Sequence, residues 1–156
     1  MVYVMLTYAS TGATVVNQCL AGSKKVVFLS ELNPLGGGTG SKGTSSPRTV
    51  KSQLKEWYGI EVDSDEFSKG IQEAELITRD KQLTLIIRDW SYVNFTPHPT
   101  NNRNPPGHFL ILEELAGEVE VISFAFIRHP IDVWISRNFP PLSNFVEEYG
   151  RFLREA

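Results

Sequence analysis

Cysteine occurs once in the chain, at Cys19, which excludes an intrachain disulfide and any zinc site built from cysteines. Long apolar runs are also missing, and nothing approaches the roughly 20 residues that a membrane span needs. The opening residues, Met1-Val2-Tyr3-Val4, lack the basic n-region of a secretory signal, so a cytoplasmic, reduced setting is expected. There is no basic excess either: 15 Lys and Arg stand against 18 Asp and Glu, a net charge of -3. That balance argues against coating a nucleic-acid polymer and leaves room for one small anion in a local pocket. His98, His108 and His129 have no carboxylate or cysteine at ligand spacing, so no metal site is expected. What remains is 156 residues, 41% hydrophobic and 21% charged, the composition of one ordered domain with its own core. No internal repeat or dividing linker is visible, so residues 1–156 read as a single domain.

Apolar periodicity gives the organisation. Residues 2–7 form a near-continuous apolar run, the pattern of a strand buried on both faces. Residues 26–30, 82–88 and 119–127 are further β-rich runs. Residues 13–21 read as a helix with Val15, Val16, Cys19 and Leu20 inward. Two more helices are expected at 47–58, with Ser46 as N-cap before Pro47, and at 65–79, with Phe67, Ile71, Ala74 and Leu76 at helical spacing. Strands alternating with helices predict an α/β fold in three layers: a mostly parallel central sheet with helices on both faces. Residues 36–46, with four glycines among the first five, and 96–107, with four prolines, read as long functional loops or disordered segments.

In open α/β sheets, ligands collect beyond the carboxyl ends of the strands. The segment Tyr8-Ala9-Ser10-Thr11-Gly12-Ala13-Thr14 falls there, between the first strand and the first helix. Its small residues let backbone amides, the Thr11 and Thr14 hydroxyls and the helix dipole wrap a phosphate. The alternative is a plain turn with Thr11 as N-cap. The Gly-Lys-Ser/Thr ending of a Walker A loop is absent. A second segment, Phe126-Ile127-Arg128-His129-Pro130-Ile131-Asp132-Val133-Trp134-Ile135-Ser136, puts Arg128 at a strand end, Pro130 at a helix start and Ser136 eight residues after Arg128.

The Arg-x-Pro-x-Asp run with its following serine resembles the 3′-phosphate motif of sulfotransferases. The first loop is similar to that family's 5′-phosphosulfate loop, and Phe28-Leu29-Ser30-Glu31-Leu32-Asn33-Pro34-Leu35 looks like its strand-two stretch. The resemblance extends in order and spacing over nearly the whole chain and implies a P-loop-like architecture. It also implies transfer of a sulfuryl group from 3′-phosphoadenosine 5′-phosphosulfate (PAPS) to a hydroxyl or amine on a small-molecule, glycan or peptide acceptor. On that reading Ser10, Thr11, Gly12, Ala13 and Thr14 face the 5′-phosphate, Arg128 and Ser136 hold the 3′-phosphate, and Asp132 braces the Pro130 helix.

The chain also departs from the family. The first loop usually carries a lysine or arginine where Ser10 stands, which removes a charge-assisted hydrogen bond where negative charge develops. Arg88, after Ile86-Ile87, is the candidate substitute cation, the alternative being an ion pair with Asp89 or another acid. The base is expected at Glu31, as in family members with a glutamate after strand two, because Trp90 and Tyr92 stand where others have a histidine. A salt-bridging Glu31 is the alternative. The family's usual further strand and basic C-terminal segment are missing after the Arg128 motif. This suits a truncated chain, a chain completed by a second subunit, or a homologue that binds without turnover. The apolar face of a last helix over 144–156, with Phe145, Tyr149, Phe152 and Leu153, suggests a homo-oligomer if exposed. Two functions therefore remain open: a PAPS-dependent enzyme and a non-catalytic nucleotide- or anion-binding module on the same fold.

Overall fold

Along residues 2–7, Val2, Val4 and Leu6 point to one side and Tyr3 and Met5 to the other, and all but Tyr3 are buried. Such a segment needs a sheet neighbour on each edge and a helical layer on each face. The computed structural model describes residues 1–35, 49–97 and 104–156 and supplies all four. The elements run β1 (Val2–Thr7), α1 (Ala13–Ala21), β2 (Val26–Leu32), α2 (Val50–Tyr58), α3 (Phe67–Asp80), β3 (Thr84–Asp89) and the single-turn α4 (Tyr92–Phe95). They continue with α5 (Leu110–Leu115), β4 (Val121–Phe126), α6 (Pro130–Ser136) and α7 (Leu142–Glu155). The described strands form one sheet of order β2-β3-β1-β4 with every pair parallel, so the α/β expectation holds.

Two apolar layers sandwich the sheet. On one face Met5, Phe28 and Ile86 meet Ala13 of α1, with Val16 and Leu20 half-buried beside them. On the other, Val4, Leu29 and Ile87 join Leu54 of α2, Ile71 of α3 and Phe152 of α7. The chain steps outward from β1 to β2, returns to β3, then crosses β1 to reach β4. Because β1 and β4 are parallel neighbours, the loops that leave them emerge side by side at one end of the sheet, where such sheets bind ligands.

Several local expectations are corrected. In α1 the inward residues are Ala13 and Asn17, flanked by Val16 and Leu20, while Val15 and Cys19 face solvent. Asn17 tolerates this position because its amide is satisfied. With the nitrogen donating to the Ala13 carbonyl at 2.8 Å, its oxygen accepts from Arg88 Nη1 at 2.6 Å. In α3, Leu76 is exposed and Thr78 is buried instead, its hydroxyl donating to the Glu75 carbonyl. Helix α2 starts at Val50: Thr49 accepts from the Ser52 amide at 3.0 Å and donates its own amide to Ser52 Oγ at 3.0 Å, a closed capping box. Ser46, Pro47 and the whole 36–46 loop lie outside the described residues, as does His98 in the second loop. Short α4 and α5 occupy stretches with no helical signal. The aromatic face of α7 is turned inward, Phe145, Tyr149 and Phe152 all being buried, while Leu153 of the same expected face is exposed.

The outer edge of β2 is closed by side chains from α2. Tyr58 OH accepts from the Phe28 amide at 2.8 Å and donates to the Phe28 carbonyl at 2.9 Å. Two residues on, the Gln53 amide does the same for Ser30, 2.7 Å each way. These two side chains take the place of a neighbouring strand, so the edge presents no free backbone at those positions.

Candidate functional site

The turn from β1 into α1 is built from unusual backbone. Ser10 has φ 68° and Gly12 φ 88°, both left-handed, which costs Ser10 about 1 kcal/mol or more and suits Gly12. Thr11 is spent on holding the turn: its hydroxyl donates to the Tyr8 carbonyl at 2.8 Å. Helix α1 therefore begins at Gly12 without a side-chain cap, contrary to a Thr11 N-cap. No atom lies within 4 Å of where a Cβ on Gly12 would sit. Among the described residues no acceptor is bonded to the first-turn amides of Ala13 and Thr14, which lie at the positive end of a helix, an arrangement suited to an anion.

Beyond β4, Arg128 turns back onto this loop. Its Nη1 donates to the Ser10 carbonyl and to Ser136 Oγ, each at 3.1 Å, and Asp132 Oδ2 lies 3.9 Å from Nε. The guanidinium stays 43% exposed. Its backbone is fixed by Tyr149, whose hydroxyl donates to the Arg128 carbonyl at 2.6 Å and accepts from the Arg128 amide at 3.3 Å. His129 caps α6, Nδ1 accepting from the Ile131 amide, and Pro130 opens that helix. The structure thus brings Ser10, Arg128 and Ser136 into contact beside the Gly12 turn, with Ser136 the last residue of α6. Ser10 meets the arginine through its carbonyl.

Arg88 and Glu31 meet each other. Arg88 Nη2 lies 3.3 Å from Glu31 Oε1, and its Nε donates to Thr7 Oγ1 at 3.2 Å. With Asn17 on Nη1, three neighbours hold the guanidinium, which is 15% exposed. Burial lowers the Arg88 pKa and Glu31 opposes that shift. Glu31 does not follow β2 but lies within it. The strand runs to Leu32 through a register break after Leu29, and Glu31 takes φ 56° there, leaving its side chain 55% exposed. The partner of Arg88 is therefore Glu31 and not Asp89. The link between the two clusters is short, since Arg88 holds Thr7 while Arg128 holds Ser10, three residues on.

Asp89 instead closes a polar knot inside the sheet end. Asn33 Nδ2 donates to Oδ1 at 3.0 Å and Asn94 Nδ2 to Oδ2 at 3.3 Å, tying β2, β3 and α4. Complete burial raises its pKa to about 7, against the pull of hydrogen bonds from Ser91, Asn33 and the Trp90 backbone.

Sequence reasoning missed Asn17, Tyr149 and Arg137. The last donates from Nη1 to Tyr8 OH at 2.8 Å and from Nη2 to Tyr92 OH, pairs with Glu148 at 3.4 Å, and lies over both tyrosine rings. It fastens the end of α6 to the strand end that feeds the Ser10 turn. Burial also raises the Tyr8 pKa, so its hydroxyl stays neutral. After β3, Phe95 packs edge-on to Phe109 and Phe152, and Tyr92 belongs to the Arg137 cluster. His108 pairs with Glu113 at 3.0 Å. A cavity of about 360 Å³ opens beside the Arg88 cluster, with Asn17 and Ser30 as polar walls and Phe28, Trp57 and Tyr58 as aromatic ones. Among the described residues no three His, Cys, Asp or Glu side chains gather as a metal site, and no helix is long and apolar enough to cross a membrane.

No family model, curated protein or solved structure matches the chain.

Proposed function

We propose that this protein is a sulfotransferase-like enzyme that moves a sulfuryl group from PAPS to a hydroxyl or amine acceptor. The observation that carries this reading is the meeting of two distant turns at one guanidinium, Arg128 touching both Ser10 and Ser136. A donor with phosphates on both the 3′ and 5′ positions of its ribose needs two neighbouring anion sites. The open amides of Gly12, Ala13 and Thr14 serve the 5′-phosphosulfate, and Arg128 with Ser136 serves the 3′-phosphate. In the transfer, the acceptor oxygen or nitrogen bonds to sulfur while the bond from sulfur to the 5′-phosphate oxygen breaks. The acceptor proton goes to Glu31, and Arg88 offsets charge developing at the migrating group.

The Glu31–Arg88 ion pair at 3.3 Å favours a second reading, a non-catalytic nucleotide-binding module, because base and cation neutralise each other until a substrate separates them. Calorimetric titration separates the possibilities. The protein is expected to bind 3′-phosphoadenosine 5′-phosphate at least ~10-fold more tightly than AMP, a difference of about 1.4 kcal/mol. Arg128→Ala should erase that preference while sparing most of the AMP affinity. Equal binding of the two nucleotides would remove the donor assignment. Preference without turnover from PAPS, over a panel of alcohol and amine acceptors, selects the module.

A further inference from the structure

The cavity of about 360 Å³ is built where three elements converge. On α1, Asn17 and Ala21 lie one turn apart with Gln18 beside them, and Phe28 and Ser30 alternate onto one face of β2. Trp57 and Tyr58 come from the last turn of α2. That helix end is fixed, because Gly59 takes φ 63° and the Ile60 amide donates back to the Leu54 carbonyl at 3.0 Å. Small-molecule sites run from about 300 to 1,000 Å³, so this one suits one or two fused rings.

Its walls are set before any ligand arrives. Tyr58 OH is held by both backbone groups of Phe28, and burial raises its pKa, so the proton it donates to the Phe28 carbonyl stays in place. The Asn17 amide is held by the Ala13 carbonyl and Arg88. A ligand therefore meets rigid surfaces, which lowers the ordering cost of binding. Two groups are left over. Trp57 is 45% exposed, with no described ring or cation stacked on it. The Ser30 amide and carbonyl are both bonded to Gln53, yet among the described residues its hydroxyl has no partner.

The lining also sets the charge of the occupant. Every side chain around the cavity is uncharged, and the neighbouring Arg88 and Glu31 neutralise each other. An ionised ligand would lose hydration there without gaining a counter-charge.

We infer that this cavity is a binding site for a neutral, flat aromatic molecule of one or two rings that carries a hydroxyl or similar hydrogen-bonding group. The ring packs between the Trp57–Tyr58 wall and the Gln18–Ala21 wall, and the polar group reaches Ser30. The site does not depend on the proposed donor or on transfer, and its occupation needs no nucleotide.

The probe is 2-naphthol, titrated into the full chain without nucleotide and followed by the amide and indole signals in NMR spectra. Saturable shifts are expected at the Trp57 indole, identified by its loss in Trp57→Phe, and at the Ala21 and Ser30 amides. The dissociation constant should be on the order of 0.1 mM. Ionised 2-naphthoate should bind at least ~10-fold more weakly. Ser30→Ala should weaken 2-naphthol several-fold, and Ser30→Thr, which keeps the hydroxyl, should restore most of the loss. Ala21→Leu, at an exposed position on the wall, fills the space and should weaken binding at least ~10-fold with unchanged circular dichroism. Absence of a saturable shift at Trp57 overturns the inference. So does 2-naphthoate binding as tightly as 2-naphthol, or wild-type affinity in both Ser30→Ala and Ala21→Leu.

Discussion

Between pH 5 and pH 8 the folded protein is expected to lose roughly 3 kcal/mol of stability through one carboxyl group, Asp89. Its pKa is about 7 in the folded chain against an ordinary value of 3.8, because the side chain is fully buried at the end of β3. Below the ordinary value the group is protonated in both states and contributes nothing. As pH rises through the interval, the unfolded chain gives up the proton while the folded chain keeps it, so unfolding becomes easier. Above about 7 the folded chain carries a buried charge and the loss is complete, about 4 kcal/mol in all. Urea denaturation at a series of pH values measures the slope. Asp89→Asn removes the titrating group and should flatten it. The same change turns an N–H2 toward Asn33 or Asn94, both donors, and should lower stability by about 1–3 kcal/mol below the ordinary carboxyl pKa, where the wild type has lost nothing; above about pH 7 the wild type's own loss overtakes that cost. A wild-type stability that rises across this interval, or a slope unaltered in Asp89→Asn, removes Asp89 as its source.

The backbone frame could be read from the chain because its signals are local. The apolar run at Val2–Thr7, the glycine at the head of α1 and the proline at the head of α6 each act over a few residues, and those boundaries appear where expected. The eight-residue spacing of Arg128 and Ser136 was equally legible, since Arg128 ends the strand run and Pro130 begins the helix that carries Ser136. Errors arose where a distant partner outweighs local pattern. Asn17 is inward because Arg88, from another strand, satisfies its amide, and periodicity alone assigned that face to Val15 and Cys19. Glu31 sits inside β2 because the strand carries a bulge, and no sequence pattern announces that break.

For the same reason no local pattern pairs Glu31 with Arg88 or gives Arg137 its partners. An arginine's partner is chosen by the fold, and the two tyrosines and one glutamate around Arg137 come from β1's exit, α4 and α7. Tyr58 and Gln53 show it again for the sheet edge: five residues apart on α2, they gain their role only when Phe28 and Ser30 lie beside them.

Replacing Tyr149 with alanine is expected to cost about 3–5 kcal/mol, the largest effect of any single change near the site. The ring is 2% exposed, stacks on Phe145 and Phe152 with centroids 5.4 and 5.9 Å away, and meets Tyr8 at 5.0 Å. Deleting it opens a cavity between α7 and the strand end that feeds the Ser10 turn. Tyr149→Phe isolates the second contribution, since it keeps the stack and loses only the two hydrogen bonds to the Arg128 backbone. That variant should lose about 1–3 kcal/mol, because the Arg128 carbonyl and amide are left without their part-buried partner. Guanidinium unfolding measures both losses. The pair also tests how the arginine is aimed. If Tyr149 sets the position of Arg128, Tyr149→Phe weakens binding of 3′-phosphoadenosine 5′-phosphate several-fold more than binding of AMP, in protein that remains folded. If both nucleotides weaken equally, Tyr149 stabilises the sheet end without directing the guanidinium, and Arg128 is held by Ser10 and Ser136 alone.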